Sequence, residues 1–142
     1  MSDKLVSNLE KEITQEIYLM SEISKILETS KNFEIESTSK GWFSVKDPII
    51  IEKVLRVFGE DVSRTMLIYL SEQHSSISDL ILNTKLPRTT VYRKIDELEK
   101  NGFVKIVEYV SNNTKKTAIY ESTIKEIKLD FKKQIKLYIR LS

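Results

Sequence analysis

The chain has 142 residues, 40% of them apolar, and a formal net charge of +2, which supports one domain with an extension and a real core. No run of about eighteen apolar residues occurs, so no membrane-spanning helix is expected, and the charged start MSDKLVSNLEKE lacks the apolar centre of a signal peptide. With no cysteine there is no disulfide framework and no thiolate metal site, and a cytoplasmic setting fits.

The charge is unevenly spread. Residues 1–46 sum to −2, residues 47–103 to −1 and residues 104–142 to +5. Positive charge gathered late in the chain is the direction expected for a nucleic-acid partner, although a lysine-rich terminal helix also serves solubility alone.

In chain order, residues 1–30 are expected to hold one amphipathic helix, from about Lys4 to Glu28. Leu9, Ile13, Ile17, Met20, Ile23 and Leu27 form its apolar stripe. The stripe matches a heptad only loosely, and Glu16 spoils one seam position, so a packed dimer interface is expected and not a long coiled coil. Residues 31–46 break the pattern and read as a linker or a short β-hairpin. In the hairpin reading, Phe33-Glu-Ile35-Glu alternates like a strand, with Trp42-Phe-Ser-Val45 as its partner across Ser39-Lys40-Gly41.

Residues 47–121 carry the densest set of signals. Asp47-Pro48 is an N-cap followed by proline at the first helical position. That helix runs through Ile51, Val54, Leu55 and Phe58 and stops at Gly59. A second begins near Asp61 and carries Val62, Met66, Leu67, Tyr69 and Leu70. Ile77 and Leu82 around Ser78 match a hydrophobic staple at an N-cap. The stretch SDLILNTKLPRTTVYRKIDELEKNG, residues 78–102, then has the outline of a helix-turn-helix. Pro87 suits a first helical turn, where its missing N–H would be unpaired anyway. Val91, Ile95 and Leu98 share one face and can pack on the preceding helix. Arg88, Thr89, Thr90, Tyr92, Arg93 and Lys94 lie at the helix start, mostly off that face, and offer groups suited to phosphates and base edges. Gly102 stops the helix.

Residues 103–110 and 117–121, FVKIVEYV and TAIYE, are strands by their β-branched and aromatic content, joined by the polar turn 111–116. The hairpin makes the unit a winged helix. Residues 122–142 are expected to form a C-terminal amphipathic helix. Thr123 and Glu126 make a capping box, and Ile124, Ile127, Phe131, Ile135 and Tyr138 form a second stripe. The expected fold is therefore mainly α with a small β-hairpin wing, a winged helix-turn-helix flanked by N- and C-terminal dimerisation helices. Arg, Thr and Lys on any single helix are ordinarily a solvated face. It is the complete unit in the right order that favours DNA.

Residues 47–121 resemble the winged-helix DNA-binding domain of small archaeal and bacterial transcription regulators, broadly the ArsR/MarR/TrmB-like superfamily. The runs FGEDVSRTMLIYL and LPRTTVYRKIDELEKNGFVK carry the likeness. It implies a sequence-specific double-stranded DNA-binding regulator acting as a homodimer. The recognition helix, about residues 87–100, would enter the major groove, with the wing, 104–121, on the backbone. Arg88, Thr89, Thr90, Tyr92 and Arg93 match the family's contacts on the helix, and Asn113, Lys115 and Lys116 match those at the wing tip. The chain departs from metal-sensing members in having no cysteine and a single histidine.

Two other functions compete: a winged-helix protein-interaction module, and a non-specific chromatin-type DNA binder. Exposed Arg88, Arg93, Lys115 and Lys116 favour DNA over protein, and Asp96, Glu97 and Glu99 oppose a purely non-specific basic binder. His74 lies alone in a polar stretch and reads as a surface residue. No phosphate loop and no catalytic set is found, so no enzyme activity, cofactor or metal is expected. Trp42, Phe43 and Phe33 could line a small-molecule effector pocket, but such a cluster is more often a satellite core.

Overall fold

Before Asp47 the described residues form two short paired strands, as the hairpin reading expects. In the computed structural model, which describes residues 35–37 and 42–142, β1 (Ile35–Ser37) pairs antiparallel with β2 (Trp42–Val45). Four helices follow: α1 (Pro48–Gly59), α2 (Asp61–Glu72), α3 (Ile77–Thr84) and α4 (Arg88–Lys100). Then come β3 (Val104–Asn112), β4 (Lys115–Ser122), β5 (Ile124–Asp130) and β6 (Lys136–Leu141). The helix expected over residues 4–28 lies outside the described residues, as does Phe33. Among the described residues the architecture is α+β, with one four-stranded and one two-stranded antiparallel sheet. No helix there is long and apolar enough to cross a membrane.

Local signals account for the helices. Asp47 Oδ1 accepts from the N–H of Ile49 at 2.9 Å and of Ile50 at 3.4 Å, and Pro48 opens α1 without wasting a donor. The N-cap of α3 is Ser76 and not Ser78: its Oγ accepts from the Asp79 N–H at 3.2 Å. Ile77 thus begins the helix, and Leu82, at 72% exposed, makes no staple. Lys85 ends α3 in a left-handed conformation, φ 58°. Leu86 and Pro87 complete the turn, and α4 starts at Arg88, one residue later than proline at the first position implied. Val91, Ile95 and Leu98 are buried, as their spacing predicts.

Gly102 closes α4 at φ 83°. Its N–H donates to the Glu99 carbonyl at 3.0 Å, and the Phe103 N–H donates to the Leu98 carbonyl at 2.8 Å. This is the paired bonding of a Schellman cap, with buried Leu98 and Phe103 as its apolar contact. Any Cβ at this position meets the left-handed penalty, so Gly102→Ala should cost about 1–2 kcal/mol. Urea denaturation checks this; an unchanged midpoint would show that the cap carries no strain.

The turn between β3 and β4 is tighter than the sequence implied. Asn112 pairs with Lys115, leaving only Asn113 and Thr114 between the strands. Asn113 takes φ 60°, which asparagine tolerates better than most residues. Ser75, between α2 and α3, exchanges two backbone hydrogen bonds with Tyr120, at 3.0 and 2.8 Å, and so ties the hairpin to the helices.

The expected C-terminal helix does not form; residues 122–142 supply β5 and β6. Their sheet has the order β1-β2-β6-β5, so the N- and C-terminal hairpins of the described chain join around the inserted helices. Two periodicities competed in this segment. The helical stripe would bury Phe131 and Ile135, yet these are 68% and 46% exposed. The alternating pattern instead buries Leu137 and Ile139, directly opposite Val45 and Phe43 of β2. Ile127 and Leu129 of β5 pack on the same core, which α1 fills with Ile50 and Val54 and α2 with Met66, Leu67 and Leu70. Asp130 Oδ1 accepts from the Lys132 N–H at 3.0 Å and helps turn the chain back. Thr123 is not a cap; its N–H donates to the Phe103 carbonyl at 2.8 Å.

Candidate nucleic-acid interface

Helix α4 buries one stripe and offers another. Arg88, Thr89, Tyr92 and Arg93 are exposed, and Thr90 is half-buried. The Arg88 guanidinium carbon lies 5.6 Å from the Tyr92 ring centroid, a cation–π distance that keeps both groups together at the helix start. Among the described residues neither Arg88 nor Arg93 lies within ion-pair distance of a carboxylate. The far half of the helix is different: Asp96 pairs with Lys100 at 3.0 Å, and Glu97 is exposed. Unpaired positive charge therefore sits in the first turns of α4.

Lys94 does not belong to this surface. It is 8% exposed, and its Nζ lies 2.6 Å from Glu60 Oε1 and 3.6 Å from Glu97 Oε2. Position 94 falls on the face of Val91, Ile95 and Leu98, and its ammonium clasps α4 to the junction of α1 and α2. The Lys94 hydrogen bond is the main reason that the Glu60 carboxyl is held below the ordinary glutamate range; burial opposes it, and a bond from Ser63 Oγ at 3.1 Å adds to it. A depressed carboxyl stabilises the fold above its unfolded pKa and loses that contribution as pH falls through the folded value. Wild type should therefore be more stable than Glu60→Gln at neutral pH, and the gap should narrow as the pH falls below the ordinary glutamate range and through the folded value. Denaturant unfolding at neutral and acid pH checks this, and a gap that persists in acid would assign the effect to something other than the charge.

The β3–β4 hairpin meets α4 in a cleft of about 230 Å³ lined by Ile77, Ser78, Tyr92, Lys115, Lys116, Thr117, Ala118 and Tyr120. The structure thus brings Tyr92 of the helix together with Lys115 and Lys116 of the hairpin. Both lysines are exposed and start β4, while Asn113 occupies the tip of the hairpin, away from the cleft lining. Tyr120 was not singled out by sequence; only its alternation with Ala118 placed it on the same face. Burial, first, pushes its phenol upward, with the nearby Glu99 carboxylate adding to the effect, so the hydroxyl stays protonated and can donate.

The remaining candidates fall elsewhere. His74 Nε2 lies 3.1 Å from Glu121 Oε1 on β4. Phe43 is core, whereas Trp42 points to the opposite sheet face, with Lys128 Nζ 4.5 Å from its ring centroid. The two aromatics therefore do not line one pocket. A larger groove, about 760 Å³, lies instead between α1 and the β5–β6 turn, lined by Pro48, Ile51, Leu55 and Ile135 among others. Neither a family model nor a curated protein matches the chain, so its functional reading rests on these residues.

Proposed function

We propose that the protein is a sequence-specific, double-stranded DNA-binding transcription regulator that acts as a homodimer in the cytoplasm, with residues 47–121 as its winged helix-turn-helix. The observation that carries the reading is the cleft joining Tyr92 of α4 to Lys115 and Lys116 of the hairpin, beside Arg88. The order of α2, α3, α4 and hairpin, and the single bridge from Ser75 to Tyr120, support the winged-helix reading. In this arrangement the first turns of α4 enter the major groove, where Arg88 and Arg93 meet base edges and phosphates and Thr89 and Thr90 add hydroxyls. The hairpin lies along the backbone.

Lysine ammonium groups at the start of a strand suit phosphate contact and carry no base readout. Replacing Lys115 and Lys116 together with alanine should weaken binding to all duplexes alike. It should also lower the salt slope by about 0.9 for each phosphate that is no longer neutralised. Fluorescence anisotropy over a salt series measures both. A changed preference among duplexes with an unchanged slope would contradict the assignment. Residues 123–140, expected to give the homodimer a helix, form strands, which directs the search for an interface to the sheet.

A further inference from the structure

We propose that the outer edge of β5 is the homodimer interface. Two copies would pair β5 with β5 antiparallel about a two-fold axis through Ile127, fusing their sheets into one. The idea deepens the homodimeric part of the proposed function but rests on no DNA contact. β5 ends the sheet order, so among the described residues one row of its backbone donors and acceptors has no partner strand. Such a row is a template for another chain unless it is blunted. The one irregularity of β5 lies between Ile124 and Glu126, which leaves Glu126 to Asp130 regular.

About its middle residue the strand's flanking charges are opposite in sign, Glu126 before it and Lys128 after it. Ile127 is the middle residue of β5 (Ile124–Asp130). With the axis there, Glu126 of one copy stands opposite Lys128 of the other, and Lys128 opposite Glu126. Ile127 meets Ile127, and Lys125 lies beside Leu129. Opposite charges directly across a strand pair stabilise it and like charges destabilise it. An axis at Glu126 or at Lys128 would set like charges face to face. An axis at Leu129 would also oppose Lys128 and Asp130, but would run the pairing into the turn after Asp130. Only the axis at Ile127 opposes unlike charges with every pair inside β5, its central pairs on the regular stretch and Lys125 at the irregularity.

The core side of this edge is prepared as well. Phe58, Leu67 and Ile68 border a groove of about 280 Å³ along Ile124 and Ile127, and Ile68 is 50% exposed. A second copy seated on the edge would bring its own Ile127 and Ile68 to this groove, an isologous apolar seam beneath the paired backbones.

The natural chain has no cysteine, so single-cysteine variants of the full chain read the register directly, without DNA. Across an antiparallel pair the Cα atoms are about 4.5–5.5 Å apart, within the roughly 4.4–6.8 Å that a disulfide spans. Ile127→Cys should cross-link to a covalent dimer on mild oxidation at micromolar concentration. Leu129→Cys, whose copies would lie roughly 13 Å apart at about 3.4 Å per residue, should not. Sedimentation of the unmodified chain should show a dimer. Lys128→Glu, checked for folding by circular dichroism, should raise its dissociation constant at least tenfold. An unmodified chain that is monomeric, cross-linking at Leu129→Cys equal to or above that at Ile127→Cys, or a dimer indifferent to Lys128→Glu would each overturn the interface. Loss of DNA binding with the cross-link intact would leave it standing.

Discussion

Replacing Arg88 and Arg93 together with alanine should reduce affinity for the preferred duplex by about 2–6 kcal/mol, on the order of thirtyfold or more. Each guanidinium that reads a base is worth about 1–3 kcal/mol, and neither lies within ion-pair distance of a carboxylate of the described residues. Both are exposed on the first two turns of α4, so the fold should survive their removal. The variant should also discriminate less between the preferred duplex and a scrambled one. Binding titrations at fixed salt measure both effects. An unaltered affinity in a folded double variant would remove α4 from the interface. Lys94 stays outside this test: it is tied to Glu60, and its replacement would perturb the helix junction before it touched DNA.

Phe43→Ala should destabilise the protein by about 3–5 kcal/mol, whereas Phe131→Ala should change stability by about 0.5 kcal/mol or less. The contrast separates the observed sheet from the amphipathic helix that the C-terminal stripe suggested. In a helix built on that stripe, Phe131 would be among the buried anchors. In the sheet, Phe43 is fully enclosed opposite Ile139, and Phe131 stands in the turn between β5 and β6. Truncating Phe43 opens a cavity where the sheet meets α1 and α2, and the surroundings relax only partly. Chemical denaturation of the two variants gives the comparison. Equal losses of stability would contradict the packing described.

The helices and the β3–β4 hairpin were legible because their signals are local. Asp47 before Pro48, the spacing of Val91, Ile95 and Leu98, and Gly102 after Asn101 each act within a turn or two of chain. The surface of α4 was legible for the same reason, except at Lys94, whose position on the buried face was readable but whose partner, Glu60, is distant in sequence. The C-terminal segment was misread because its residues satisfy two periods at once. Ile124, Ile127, Phe131, Ile135 and Tyr138 fit a helix, while Leu137 and Ile139 alternate as a strand requires. The choice was made by Phe43 and Val45, nearly a hundred residues earlier in the chain, and no local window contains that pairing. The cleft between Tyr92, Lys115 and Tyr120 likewise exists only once the hairpin is folded back on α4.

Reading of a DNA sequence by α4, with the β3–β4 hairpin seated on the backbone, is what the proposed function stands on. It is tested by selecting fragments from a random duplex pool with the full chain and sequencing the bound fraction. One short motif should be enriched, present as two halves related by a two-fold axis, and the enrichment should disappear in the Arg88→Ala/Arg93→Ala variant. A bound fraction with the composition of the starting pool, or no retained DNA at low salt, would contradict it.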